Sequence, residues 1–141
     1  MKTVQIIYDG VRLLVPLIGA RPLHLPHDGF ADFATYCGPG KWGDLIVPDD
    51  IYDTPINPAC YIHDEMVLLA EPTWVSFHHT NSVFLHNINT ILEHFDVKER
   101  PSSEQEHKYK RYYRAVTYYM AVDSRAGANI FWDLKREQEM I

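Results

Sequence analysis

The chain has 141 residues, of which 46% are hydrophobic and 23% are charged, a composition typical of a folded domain rather than of a disordered segment. Its formal net charge of −6 disfavours a nucleic-acid partner, which requires a basic face, and gives no general attraction to anionic membranes. The length predicts a single domain, residues 1–141, with one hydrophobic core.

The N-terminal segment predicts no signal peptide. Asp9 and Arg12 interrupt the apolar residues that follow Lys2, whereas a secretory signal needs an unbroken apolar stretch and a small-residue cleavage site. No apolar run approaches the roughly 18 residues that span a bilayer. We therefore expect a cytoplasmic protein, in which two cysteines are more often reduced thiols than a disulfide.

Residues 1–35 predict a small antiparallel β-rich part. Two β-branched, apolar segments in TVQIIYDGVRLLV flank Asp9-Gly10, a dipeptide typical of two-residue hairpin turns. The following segment RPLHLPHDGF contains Pro22 and Pro26, so it fits at most an edge strand.

Residues 36–58 are rich in glycine and proline, which predicts a long irregular loop. A loop of this length in a small domain is usually functional.

Residues 59–141 form the helical part, with three main helices. The first is expected over Asn57 to Leu69, with Asn57 as its cap and Pro58 in its first turn. The apolar periodicity predicts a second helix from near Thr80 or Asn81 to about His94 and a third from about Ser103 to Val122. Gly127 is expected to break the third helix, and Phe131-Trp132 to close the core from a short final turn. The fold class is therefore α+β.

His63 and Asp64 are the candidate reactive residues because they lie side by side in the apolar helical run ACYIHDEMVLL. A carboxylate provides the oxygen ligands that Ca²⁺ prefers, and an imidazole accepts a proton near neutral pH. The stretch YCGPGKWG could supply further ligands, because glycines let main-chain carbonyls turn toward an ion. An isolated His-Asp pair on an apolar helix is, however, usually structural.

Two motifs together resemble the phospholipase A2 family: Tyr36-Cys37-Gly38-Pro39-Gly40, similar to Y-C-G-x-G, and Cys60-Tyr61-Ile62-His63-Asp64, similar to C-x-x-H-D. The resemblance implies a phospholipase A2-like helical core and a Ca²⁺ ion held by the main-chain carbonyls of Tyr36, Gly38 and Gly40 and by the Asp64 carboxylate. It implies that His63 deprotonates a water that attacks the sn-2 ester of a phospholipid.

The same resemblance implies several further roles. Calcium and the Gly38 N–H would stabilise the oxyanion. Cys37 and Cys60 would be joined by a disulfide or lie close together as thiols. A phospholipid, alone or in a membrane interface, would be the partner.

The sequence departs from the family pattern in three places. The spacing between loop and helix is longer than in compact secreted members, and the tyrosine expected after the aspartate is replaced by Val67. The aspartate that orients the histidine corresponds to Asn81, which can accept a hydrogen bond but cannot stabilise an imidazolium by charge. We therefore expect slow hydrolysis, with Asn81 as a catalytic residue, and a faster rate in Asn81→Asp. Another acid, such as Asp32, could replace the missing aspartate if the fold brings it to the His63 ring.

A second resemblance covers more of the chain. The segments DGFADFATY, HD and YYRAVTYYMAV…GANIFW are similar to a family of uncharacterised small proteins of bacteriophage genomes. No activity follows from this similarity. It supports an alternative function, that of a non-catalytic phage structural or interaction protein with phospholipase-like helices, and an alternative location in the phage particle.

A third possibility is a metal-dependent phosphohydrolase, which also uses an HD doublet. Such an enzyme needs a further upstream histidine and a downstream aspartate as metal ligands. The residues available for these positions are His24 or His27 and Asp96 or Asp123. That family's pattern does not account for Tyr36–Gly40 or for the cysteines, so this function ranks third.

Overall fold

The structure, a computed structural model, describes residues 1–26, 28–30, 50–51, 54–99 and 105–140; of residues 50–51, 54, 96–99 and 105–111 it describes the backbone alone. Within these residues the chain is α+β. The strands are β1 (Thr3–Tyr8), β2 (Val11–Ile18), β3 (Arg21–Pro22), β4 (Asp50–Ile51) and β5 (Thr54–Pro55). The helices are α1 (Asn57–Leu69), α2 (Trp74–Glu99), α3 (Gln105–Val122) and α4 (Arg125–Glu139). No helix among the described residues is long and apolar enough to cross a bilayer.

The N-terminal hairpin is confirmed. Strands β1 and β2 pair antiparallel, from Thr3 opposite Pro16 to Tyr8 opposite Val11, and β3 adds a short edge to β2. Asp9 has φ 48° and Gly10 has φ 81°, the positive values that a tight hairpin turn of this kind requires. Alternate residues of β2 are buried in the core, which matches the period of two that the sequence shows.

Helix α1 has the predicted bounds but not the predicted cap. Asn57 already lies in the helix, and the residue before it, Ile56, occupies the cap position without a side-chain hydrogen bond. The carbonyl of Ile56 accepts from the amides of Ala59 and Cys60, and its side chain is fully buried. The start of α1 is therefore stabilised by burial of an apolar residue and not by the asparagine cap that we expected.

Helix α2 begins earlier and ends later than predicted, at Trp74 and Glu99 rather than near Thr80 and His94. Its start follows Thr73, whose hydroxyl accepts a hydrogen bond from the Ser76 amide at 3.1 Å and so caps the first turn. Phe77 in that turn is buried, which gives the added residues a core contact.

The expectation of three main helices was wrong, because the described residues contain a fourth, α4. Ser124 caps α4 by accepting a hydrogen bond from the Gly127 amide. Gly127 lies inside this helix and does not end the helical region. A Cβ at that position would overlap the carbonyl oxygen of Val122, so glycine is needed for the close approach of α4 to the end of α3.

Asn87 joins α2 to the sheet. Its Oδ1 accepts from the Leu14 amide at 2.8 Å and its Nδ2 donates to the Leu14 carbonyl at 2.9 Å, as a neighbouring strand would. Asn87 is fully buried, so its amide and the two main-chain groups of Leu14 satisfy each other's hydrogen bonds.

We expect Asn87→Leu to lower the free energy of unfolding by about 2–4 kcal/mol, because it removes the hydrogen-bond partner of both the N–H and the carbonyl of the partly buried Leu14. Urea unfolding followed by circular dichroism measures this loss. His86→Leu, at an exposed position of the same helix, is the matched control and should change stability by less than about 0.5 kcal/mol. Equal losses in the two variants would contradict the role given to Asn87.

Candidate functional site

The structure brings His63 of α1 together with Asn81 of α2 in the core. His63 is 1% exposed and Asn81 is 0% exposed. His63 Nε2 lies 2.8 Å from Asn81 Oδ1, and the imidazole packs on the ring of Phe84 at 4.8 Å between centroids. The contact between these two residues is the one that the resemblance predicted, although the partner is an amide and not a carboxylate.

The amide of Asn81 determines the tautomer of His63. Asn81 Nδ2 donates to Asp123 Oδ1 at 2.9 Å and to the Val122 carbonyl at 3.2 Å. With its N–H groups directed to these acceptors, the amide presents Oδ1 to the imidazole, so His63 Nε2 must carry the hydrogen. Nδ1 is then the basic nitrogen of the ring.

Burial lowers the pKa of His63 to about 4, and the hydrogen bond to Asn81 only partly opposes this effect. The imidazole is therefore neutral at pH 7, as a general base must be before it takes a proton. Its low pKa also makes it a weak base.

Asp64, the next residue, has a partly buried carboxyl group, whose negative charge needs compensation when it is ionised. Burial, with a smaller contribution from the neighbouring Glu65, raises the pKa of Asp64 to about 7. Among the described residues its carboxylate makes no hydrogen bond or ion pair. A desolvated carboxylate fits a ligand of a hard cation, because the cation would compensate the negative charge.

The other residues of the predicted calcium site lie outside the described residues. These are Tyr36, Cys37, Gly38 and Gly40, together with the possible helper Asp32. Cys60, at the start of α1, is disulfide-bonded, and Cys37 is the other cysteine of the sequence. The expectation of reduced thiols is therefore not met at Cys60.

The ligand set of a metal phosphohydrolase does not assemble in the described part of the chain. No three His, Cys, Asp or Glu side chains there lie close enough to share a metal ion. Asp123, one of the aspartates considered for this role, is instead bonded to Asn81 and His78. The side chains of His27 and Asp96 lie outside the described residues.

Asp123 also belongs to this site, although sequence patterns did not predict its contact with Asn81. It lies in the turn between α3 and α4, and both its oxygens accept hydrogen bonds: Oδ1 from Asn81 and from His78, whose Nδ1 is 2.7 Å away, and Oδ2 from the Tyr119 hydroxyl at 3.4 Å. The one available signal was an acidic residue at the end of a predicted helix, which more often marks a cap than a functional contact.

No protein-family model, curated protein or solved structure that was compared with the chain matches it. Statements about function therefore depend on the residues of the site themselves.

Proposed function

We propose that the protein is a slow, calcium-dependent hydrolase of the phospholipase A2 type, acting on the sn-2 ester of phospholipids. The observation that supports this most strongly is the buried His63, held through Nε2 by Asn81 and followed directly by the largely desolvated carboxyl of Asp64. In this arrangement Nδ1 is the basic nitrogen of the ring, and Asp64 would supply the carboxylate that binds a cation.

In the proposed reaction, His63 Nδ1 takes a proton from a water molecule as the water attacks the ester carbonyl carbon. When the acyl C–O bond then breaks, the imidazolium returns this proton to the alkoxide oxygen of the departing lysophospholipid, and the acyl group leaves as the fatty acid. The Asn81 carbonyl keeps the ring oriented by accepting from Nε2–H at 2.8 Å. When bound, Ca²⁺ would be held by Asp64 and the main-chain carbonyls of Tyr36, Gly38 and Gly40, and would supply positive charge beside the ester oxygen. The Gly38 N–H would donate to the same oxygen.

Two features support a slow rate. The pKa of His63 is about 4, far below the near-neutral value of an efficient general base. Asn81 is neutral, so the residue that contacts Nε2 in the described part of the chain offers the imidazolium a carbonyl oxygen and not a full negative charge. Each feature raises the energy of the charged ring in the transition state.

The test is fatty-acid release from mixed phospholipid–detergent micelles, with calcium and with a chelator. We expect slow release with calcium, none above background with chelator, and at least a hundredfold loss in Asp64→Asn, which removes the cation's carboxylate ligand. Glu65→Gln, at the adjacent residue, is the matched control and should retain activity. Release that persists in chelator would exclude this mechanism.

A second candidate function is that of a non-catalytic structural or interaction protein, as the similarity to phage proteins suggests. The observation that favours it is the same buried network, which also serves a structural role: His63, Asn81 and Asp123 join α1, α2 and the α3–α4 turn by hydrogen bonds. Calcium binding without fatty-acid release from any variant would favour this second function.

A further inference from the structure

Asp123 provides a fixed negative charge directly behind the Asn81 amide. Its side chain is 21% exposed, and its carboxylate accepts hydrogen bonds from Asn81 and His78 of α2 and from Tyr119 of α3. Several donors on one carboxylate restrict both its position and its rotation. The close packing of Gly127 on Val122 fixes the turn that carries it.

We infer that Asp123 is the positioning carboxylate of the His63 site and acts through Asn81. A side-chain amide can occupy its place in two orientations, with oxygen and nitrogen exchanged. The bond from Asn81 Nδ2 to the charged Asp123 Oδ1, at 2.9 Å, favours the orientation that presents Oδ1 to the imidazole by roughly ten- to a hundredfold. The longer bond to the neutral Val122 carbonyl, at 3.2 Å, adds less.

The consequence is a single tautomer. His63 carries its hydrogen on Nε2, and Nδ1 keeps its lone pair, because the amide opposite is locked by Asp123. The effect of this locking on turnover rests on the proposed function, whereas the effect on the ring itself does not.

The arrangement also changes the expectation for Asn81→Asp. A carboxylate at position 81 would lie within hydrogen-bond distance of Asp123, where Asn81 Nδ2 now lies 2.9 Å from Oδ1. Two carboxylates at such a distance do not both ionise, so one would keep a proton and the pair would lose its donor geometry. We therefore expect Asn81→Asp alone to slow hydrolysis, in contrast to the increase expected from the sequence. Only the double variant Asn81→Asp with Asp123→Asn, the exchange variant, should bring an ionised carboxylate into contact with the imidazole.

The first experiment measures the tautomer directly, by nuclear magnetic resonance of the full chain labelled with ¹⁵N-histidine at pH 8. The chain has 8 histidines, and the spectrum of His63→Gln identifies the signals of His63. We expect the Nε2–H form alone in the wild type. The Nδ1–H form should rise about tenfold or more in Asp123→Ala, and less in the isosteric Asp123→Asn, which keeps an acceptor oxygen but loses the charge.

Asp123→Asn preserves the shape of the site, so the tautomer of His63 can be measured in this variant even if Asp123→Ala does not fold. An unchanged His63 spectrum in the folded Asp123 variants would overturn the inference. This result does not depend on hydrolysis, so a protein that hydrolyses no phospholipid can still confirm or refute the positioning role.

The second experiment uses the proposed activity in a double-mutant cycle. Asp123→Asn is expected to lower kcat about tenfold with KM unchanged, and the exchange variant to restore kcat to the wild-type value or above. A merely structural Asp123 predicts unchanged kcat in Asp123→Asn, because the hydrogen bonds remain, and no restoration by the exchange. Either of these results would contradict the inference.

Discussion

Replacing His63 by glutamine is expected to reduce calcium-dependent fatty-acid release by a factor of about 10²–10⁴, the range that a general base contributes. Glutamine has an N–H that can still donate to Asn81 Oδ1, which now lies 2.8 Å from His63 Nε2. It has no nitrogen lone pair that could take the proton of the attacking water. The substitution therefore removes the proposed base while keeping the contact between α1 and α2.

The controls for this prediction separate chemistry from folding. His86→Gln makes the same chemical change at an exposed position of α2 and should retain full activity. The urea midpoint of His63→Gln should stay close to that of the wild type, because the buried hydrogen bond is kept and no charge is introduced. If His63→Gln folds normally and still releases fatty acid at the wild-type rate, His63 is not the base.

Local patterns predicted the β-hairpin and α1 well because both depend on short-range signals. The positive φ values at Asp9 and Gly10 follow from the turn preference of that dipeptide, and the start of α1 follows from Pro58 in its first turn. The cap at Ile56 was not predictable in this way, since it depends on burial in a core that the local sequence does not reveal.

Gly127 and Asp123 show why the C-terminal part was harder to predict. A glycine in an apolar pattern usually marks the end of a helix, and the reason for this one is the nearby Val122 carbonyl of a different helix. Two of the partners of Asp123, Asn81 and His78, lie on α2, far away in sequence. Contacts of this kind are set by tertiary packing and carry no sequence periodicity.

The His63–Asn81 contact could be predicted from the sequence only in part. The motif comparison placed Asn81 opposite the histidine, and the structure shows the two side chains in contact. The resemblance could not show that a carboxylate remains in the network, one hydrogen bond further away at Asp123. The charge was missing from the expected position but not from the site.

The proposed calcium site predicts an affinity that falls about tenfold for each pH unit below 7, because the pKa of Asp64 in the calcium-free protein is about 7. Below that pH the cation must displace a proton from the carboxyl group, and above it the affinity should become independent of pH. Isothermal titration calorimetry at pH 5.5 to 8.5 gives the slope. At pH 6, titrations in two buffers with different ionisation enthalpies should show the release of nearly one proton.

The same carboxyl group predicts a pH-dependent stability with a definite sign. The unfolded chain releases the Asp64 proton near pH 3.8 and the folded protein near pH 7, so the folded state binds more protons between these values. Its contribution to the free energy of unfolding is therefore lost as pH rises through this window. His63 opposes this from pH 6.5 down to about 4, because its folded pKa is lowered and acid favours unfolding.

Asp64→Asn separates these two effects, because it removes the Asp64 titration and leaves that of His63. At pH 8 without calcium we expect this variant to be more stable than the wild type by about 1–3 kcal/mol, a value reduced from the full shift because Asp64 is only partly buried. Saturating calcium should stabilise the wild type and not the variant, since binding to the folded state adds to its stability. Glu65→Gln, the matched control, should keep the calcium response. Equal stabilisation of wild type and Asp64→Asn by calcium would mean that the cation binds elsewhere and that Asp64 is not its ligand.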